Sequence, residues 1–446
     1  MTNRGLATEP QKPQREGGLP QSTWRSWLYA GFRPPDLPAT SRRAYRFHLA
    51  HILLYACFEG IIANAPLMAV KGMHASDVQL QLPLAMTAIG LFASVFLGTI
   101  MATRRKQGFV LVPGFAAGLS ALFMAGTSSA GWFLIFAGII SIFDFAMRPG
   151  VPSIMRIIYP AHCRSHVSGT MRQWASIAFP AATLLSAALL SVAGTQIIFM
   201  IHLEIFFAGV TCLAAFVCFM HLPDRGDGSA IEADVPASPE KPLLADFKPL
   251  ADRRYRRYLL ACFVFGFWNL FQQGVVPTFF AHDMNLGYVQ ATLLIHIIPN
   301  LAAFLSGGYL TAWFERTSIW RSYAIVTLLW GLDPIILALA NFSLPAIVVG
   351  RVGRGPATLG SMVIAFFTGV HSFAKPGAET SRYTSMYFLA NGVSRLTGPA
   401  AAAVALSFMS RRGILLAGGL GILASSLMFL WGDRKDTAES AEYPDE

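Results

Sequence analysis

The sequence predicts an all-α polytopic membrane protein, about twelve transmembrane helices in two pseudo-symmetric six-helix bundles. Three observations carry this reading. Of 446 residues, 54% are hydrophobic and only 13% charged, about half the charge of an ordinary soluble chain. The apolar residues fall in long runs, and Val110–Gly126 and Ile414–Trp431 hold no ionisable residue at all. Short motifs also recur in the same order at an offset of about 210 residues, as two parallel repeats would produce.

Residues 1–46 form a Pro-, Gly- and Arg-containing arm whose composition suits a disordered cytoplasmic segment. Within it, Trp24–Phe32 mixes aromatics with Arg25, as a stretch lying on a membrane surface would. No cleavable signal is expected. The first apolar run begins only near Phe47, is too long for a signal core, and carries Glu59 and Asn64. The first bundle is expected over 47–221, with spans near 47–70, 81–102, 108–127, 131–158, 167–193 and 196–221. A stretch at 222–257, rich in Pro, Asp and Ser, reads as a cytoplasmic linker. The second bundle follows over 258–431, with spans near 258–281, 288–314, 321–340, 345–370, 383–408 and 414–431. A polar, acidic tail closes the chain at 432–446.

Lys and Arg outnumber Asp and Glu by 34 to 24. The cations lie between and before the apolar runs, so they report topology and anionic lipid rather than nucleic acid. Arg42, Arg43 and Arg46 precede span one; Arg104, Arg105 and Lys106 follow span two; Arg253, Arg254, Arg256 and Arg257 precede span seven; Arg316 and Arg321 follow span eight. The alternate loops hold almost none, which places both termini in the cytoplasm of, most simply, a bacterial inner membrane. Arg411 and Arg412 fall on the outer side and break the pattern. The five cysteines form no CxxC pair, so neither a disulfide framework nor a zinc site is expected.

The repeat sets Pro66 against Pro277, Tyr45-Arg46 against Tyr255-Arg256, and Arg148-Pro149-Gly150 against Arg354-Gly355-Pro356. Phe179-Pro180-Ala181-Ala182 likewise meets Gly398-Pro399-Ala400-Ala401. Two six-span halves, a polar middle linker and basic loops after spans two and eight resemble the major facilitator superfamily, from about Tyr45 to Trp431. That resemblance implies a gating role for the loop after span two, here Arg104-Arg105-Lys106 without the family's acid, and for its counterpart Glu315-Arg316. Arg148 and Gly150 are similar to the family's Arg-bearing motif in span four. Phe179-Pro180 matches only half of the Gly-Pro motif typical of its antiporters. The resemblance further implies a cavity between the halves, lined by spans one, four, seven and ten.

Read on their own, the residues put polar groups at mid-depth in those same spans. Asp144 and Arg148, four apart, share one helix face and can neutralise each other, with Pro149 and Pro152 following at once. An acid, a base and a break within the bilayer point to function, or to a lock between neighbouring helices. Glu59 and Asn64 mark span one; Asn269, Gln272 and Gln273 share a face of span seven; Arg351 and Arg354 mark span ten, and Arg395 span eleven. Glu59 is the acid expected to couple to protons, by exchanging Arg148 for a proton, and a static Glu59–Arg148 bridge is the alternative. Arg148, Arg354 and Arg395 together suit an anionic substrate group. Asp333 is expected to pair with Arg351 or Arg354, and His202 and Glu204 to snorkel at the outer end of span six.

An intramembrane metal enzyme is the rival class, through His48-xx-His51 and His162-xxx-His166, but the other histidines stand singly. No GxxxxGK[ST] loop offers ATP. The sequence therefore reads as a secondary transporter of a small molecule, coupled to protons and without a cofactor. A non-transporting assembly factor or receptor on the same fold is the other alternative.

Overall fold

Inside a bilayer the backbone must satisfy its own hydrogen bonds, so each apolar run becomes a helix. The computed structural model describes residues 37, 39–101, 105–148, 150–223, 247–314, 316–341, 343–363, 369–370, 372–373 and 378–442, some of them (His162 among these) by backbone alone. Twelve rods result, numbered here α1 to α12. In the first half they are α1 (Ala39–Ala63 with Ala65–Met73), α2 (Gln81–Met101), α3 (Gly108–Ala125), α4 (Ala130–Met147 with Gly150–Ile158), α5 (Ala161–Val192) and α6 (Ile197–Met220). In the second half α7 is Arg253–Gln273 with Val276–Thr278 and a π turn Phe279–Asp283; α8 is Tyr288–Thr292, a π turn Leu293–Ile297 and Ile298–Phe314. The rest are α9 (Ile319–Leu339), α10 (Leu344–Val363), α11 (Ala378–Ala405) and α12 (Arg411–Glu442). Among the described residues nine rods are long and apolar enough to cross a membrane on length and composition alone.

The repeat is physical. In the first half α1 packs on α5 and α6, α2 on α4, and α3 on α4 and α6. The second half reproduces the scheme: α7 packs on α11 and α12, α8 on α10, and α9 on α10 and α12. The halves meet through α2 against α11 and, symmetrically, α8 against α5. Pro66 and Pro277 play equivalent parts, each restarting a helix after a break, next to Asn64 in α1 and after Gln273 in α7. Proline lacks the donor that a continuing helix needs, yet suits a first turn. Pro180 and Pro399, also matched by the repeat, both sit inside continuous helices. Arg148-Pro149 and Arg354-Gly355-Pro356 differ: α4 stops at Met147, whereas α10 runs on through Pro356.

Three boundaries differ from the sequence expectation. Helix α1 begins at Ala39, within the expected arm, where the Ser41 hydroxyl donates to the Ile158 carbonyl (3.0 Å) and fastens the start of α1 to the end of α4. The end of the expected linker is ordered: Asp252 caps α7 by accepting from the Arg254 and Tyr255 amides at 2.8 and 3.1 Å. Helix α12 runs past Trp431 to Glu442, because Asp433 and Asp436 on the expected tail turn inward. Asp433 binds Ser318 and Arg321 at 2.6 and 2.7 Å, and Asp436 binds Trp320 and Arg254 at 2.6 and 2.5 Å. Trp24–Phe32 and residues 224–246 lie outside the described residues.

Candidate functional site

The start of α1 and the end of α12 mark one face of the molecule, called here the terminal face; the opposite one is the distal face. At mid-depth in the first half, α4 carries Asp144 and Arg148 on one side, and their spacing produces the ion pair the sequence suggests. Arg148 donates from Nη2 and Nε to Asp144 Oδ2 at 2.7 and 3.2 Å. The other carboxylate oxygen, Oδ1, accepts from the Tyr55 hydroxyl of α1 at 2.8 Å. Between them in the helix, the Phe145 ring lies under two guanidinium groups, Arg148 at 3.9 Å and Arg395 of α11 at 4.5 Å from its centroid. Arg395 also donates to Thr87 of α2 at 3.2 Å, so it reaches from the second half into the first. Cation–aromatic contacts of this kind are favourable when desolvated.

Glu59 stands near this cluster, within the electrostatic field of both Asp144 and Arg148. It makes no hydrogen bond or ion pair among the described residues, so the static Glu59–Arg148 bridge is not formed; Arg148 is taken by Asp144. Glu59 is exposed yet ringed by protein atoms, as a side chain lining an internal cleft would be. Arg148 is 42% exposed.

Asn64, at the break in α1, is fully buried and joins three helices. Its Nδ2 donates to the Thr183 carbonyl and Ser186 hydroxyl of α5 at 2.9 and 3.1 Å, and its Oδ1 accepts from Thr292 of α8 at 2.9 Å. In the second half Asp333 of α9 holds both arginines of α10: Arg354 Nη1 at 3.0 Å and Arg351 Nε at 3.3 Å. The sequence allowed one or the other; the structure pairs both. Arg354 lies 4.8 Å from the Trp330 ring centroid, and Trp330 in turn donates to Asn269 Oδ1 at 2.7 Å. Gln272 is buried beside Asn269, whereas Gln273 is exposed, so the three polar residues of α7 do not act as one face.

The distal face is fastened across the halves. Lys71 at the end of α1 donates to the Leu286 carbonyl at 2.5 Å. Arg411, at the start of α12, donates to Asp77 at 2.8 Å and to Asp283 at 2.6 Å, joining the loop after α1 to the loop after α7. By contrast the terminal-face ion pairs Arg254–Asp436 and Arg321–Asp433 stay within the second half.

A family profile of the Major Facilitator Superfamily matches residues 47–369, well over half the chain. The chain belongs to that superfamily. Solved structures agree in fold: the nucleoside transporter NupG, in a mutant form, superposes with a TM-score of 0.67 at 12% identity, over 87% of this chain and 99% of that one. A study of proton dependent oligopeptide transporters gives a TM-score of 0.64 at 15% identity, over 87% and 98%. The human organic anion transporter MFSD10 gives 0.58 at 14%, over 89% and 100%. A search of curated proteins finds no match.

This major facilitator is thus an integral, multi-pass membrane protein with a transporter fold. Of its expected gating residues, Arg105 and Arg316 are exposed, and Arg104 and Glu315 lie outside the described residues. His48 and His51 do not gather with further metal ligands among the described residues. Buried His48 bonds Tyr159 at 3.1 Å, and buried His51 donates to the Ala215 carbonyl at 2.9 Å, while the His162 side chain lies outside the described residues. No cluster of three or more metal-ligating side chains occurs among the described residues. Four contributors escaped the sequence: Tyr55, Phe145, Glu204 and Arg411. Tyr55 sits one turn before Glu59, a spacing that signals a shared face. Glu204, expected to snorkel, is instead buried and bonded to Ser186 at 2.5 Å. Its helix turns that side toward α5, which span position alone does not reveal.

Proposed function

We propose that this chain is a secondary active transporter that moves a small molecule by alternating access of its halves, driven by protons. The observation that carries the reading is the unpaired carboxyl of Glu59 beside the Asp144–Arg148 pair, with Arg395 of the other half sharing Phe145. An unpaired carboxylate is costly at membrane depth, and a proton removes that cost. Without the proton, Glu59 competes with Asp144 for Arg148, and a shifted Arg148 no longer grips Phe145 opposite Arg395. Proton movement thereby reaches the contact between the halves. With Glu59 protonated, Arg148 and Arg395 outnumber Asp144, so the cleft gains one positive charge. Guanidinium forks then suit a carboxylate or phosphate on the substrate. The similar structures are named for nucleosides, oligopeptides and organic anions, so they do not converge on one substrate.

The start of α1 and the end of α12 share a face with the Lys- and Arg-rich loops, which supports cytoplasmic termini in a bacterial inner membrane. A reporter fused after Glu446 tests that orientation. For transport, purified protein is first screened for small molecules that raise its melting temperature, since a ligand of the folded state does so. The best ligand is then offered to proteoliposomes under a pH gradient. Uptake should follow the gradient in the wild type, and Glu59→Gln should keep exchange of substrate for substrate but lose gradient-driven accumulation. Accumulation with unchanged pH dependence in Glu59→Gln would sink the coupling role of Glu59.

A further inference from the structure

We propose that Glu204 is a second proton-binding site, separate from the central cleft, and that its proton keeps the distal face closed. A directed chain of hydrogen bonds ends on this carboxylate. Thr292 of α8 donates to Asn64 Oδ1 of α1 at 2.9 Å; Asn64 Nδ2 donates to Ser186 of α5 at 3.1 Å; Ser186 donates to Glu204 Oε2 of α6 at 2.5 Å. The chain begins in the second half and ends in the first, so it spans the surface that must part when the distal face opens. The other oxygen, Oε1, is buried without a partner, and so is the Tyr288 hydroxyl one turn before Thr292 on α8. Tyr288 and Glu204 are near enough for their charges to interact.

A proton on Oε1 leaves Oε2 accepting from Ser186, so the chain survives protonation. Loss of the proton leaves a buried carboxylate that has the Ser186 hydroxyl and the nearby Tyr288 hydroxyl as neutral donors and no charged one. No cation is within ion-pair distance of Glu204 among the described residues. Lys71 of α1 donates to Leu286, 5.3 Å from the Tyr288 ring centroid, and His202 of α6 donates to the Thr127 carbonyl at 3.1 Å. Helix α3 and the distal half of α5 contribute no ionisable group. The relief open to a bare carboxylate is water, admitted by parting α8 from α1. The purpose of that opening rests on the transport reading; the proton site does not.

The test needs no substrate. Spin labels at the exposed positions Val78 and Phe408, in the loops after α1 and α11, report the distal opening in protein reconstituted in lipid. Their separation should grow as pH rises in the wild type and stay short in Glu204→Gln. Thr292→Val, which keeps the acid but cuts the chain, should lengthen it at every pH. Arg411, held by Asp77 and Asp283 on the same face, is common to the wild type and both variants. An infrared carbonyl band of a neutral carboxylic acid should be present near neutral pH and lost in Glu204→Gln. A band identical in wild type and Glu204→Gln, or an unchanged pH response of the labels in that variant, overturns the proposal. Glu59→Gln should remove only its own part of the band, keep the part that Glu204→Gln abolishes, and still show the lengthening caused by Thr292→Val, so failure of the coupling reading is told apart from failure of this one.

Discussion

Asp333 is the residue on which the charges of the second half depend. Its carboxylate is wholly buried and faces Arg351, whose side chain is 2% exposed, and Arg354 at 12%. Replacing it by Asn leaves two buried guanidinium groups with no acid, and breaking a buried pair from one side costs about 3–5 kcal/mol. Asp333→Asn is therefore expected to lower the melting temperature of the purified protein strongly. Asp144→Asn should lower it much less, because Arg148 is 42% exposed and keeps water once its partner is gone. Equal losses in the two variants, measured side by side in one detergent, would contradict this contrast. The Asp144–Arg148 pair was legible from its spacing of four residues. The double grip of Asp333 was not, because spacing within α10 does not say which arginines turn toward α9. Glu204 shows the same limit: its depth in the span was readable, its rotation about the helix axis was not.

Helices in this fold touch most closely where a glycine removes the side chain. At Gly355 in α10 an added Cβ would stand 2.3 Å from the Pro299 carbonyl oxygen and 2.7 Å from the Ala302 Cβ, both on α8. Close approach through small residues is a common way for membrane helices to pack. Backbone atoms cannot step aside as a flexible side chain can, so Gly355→Ala should destabilise by about 1–3 kcal/mol through overpacking. Gly169 in α5 has open space where its Cβ would go, and Gly169→Ala should be neutral or gain up to about 1 kcal/mol from helix propensity. Thermal unfolding of both variants measures the difference, and a Gly355→Ala protein as stable as Gly169→Ala would refute the packing argument. At this scale the sequence was most readable where proline acts on its own backbone. Pro66 and Pro277 do mark matching restarts in α1 and α7. The repeat failed as a guide at Arg148 and Arg354, where the first segment of α4 ends at Met147 and α10 runs on through Pro356.

Across the whole molecule, the arginine that defied the charge pattern proves to be a tie between halves. Arg411 is expected on the outer side, where Lys and Arg are scarce, and the structure surrounds it with Asp77 and Asp283. A cation whose charge is met locally no longer argues about topology, and this explains why a rule of loop charge misjudged it. Both pairs are partly exposed, Arg411 at 30%, Asp77 at 16% and Asp283 at 23%, so each contributes about 0.5–1 kcal/mol rather than the larger figure of a buried pair. Only the Arg411–Asp77 pair crosses between the halves, so it biases the closed state by about 0.5–1 kcal/mol, a factor of roughly 2–5 in population. Arg411→Gln removes this tie while the Lys71 and Thr292 bonds remain. The distal-open population should therefore rise by that factor without complete opening, and the effect should shrink in high salt, which screens the wild-type pairs. Labelling of a cysteine placed at Asn285, in the loop after α7, by a membrane-impermeant reagent measures it. Faster labelling in Arg411→Gln at low salt, converging on the wild-type rate in high salt, is the expected pattern. Equal rates at both salt concentrations would mean that the two aspartates hold Arg411 without holding the halves together.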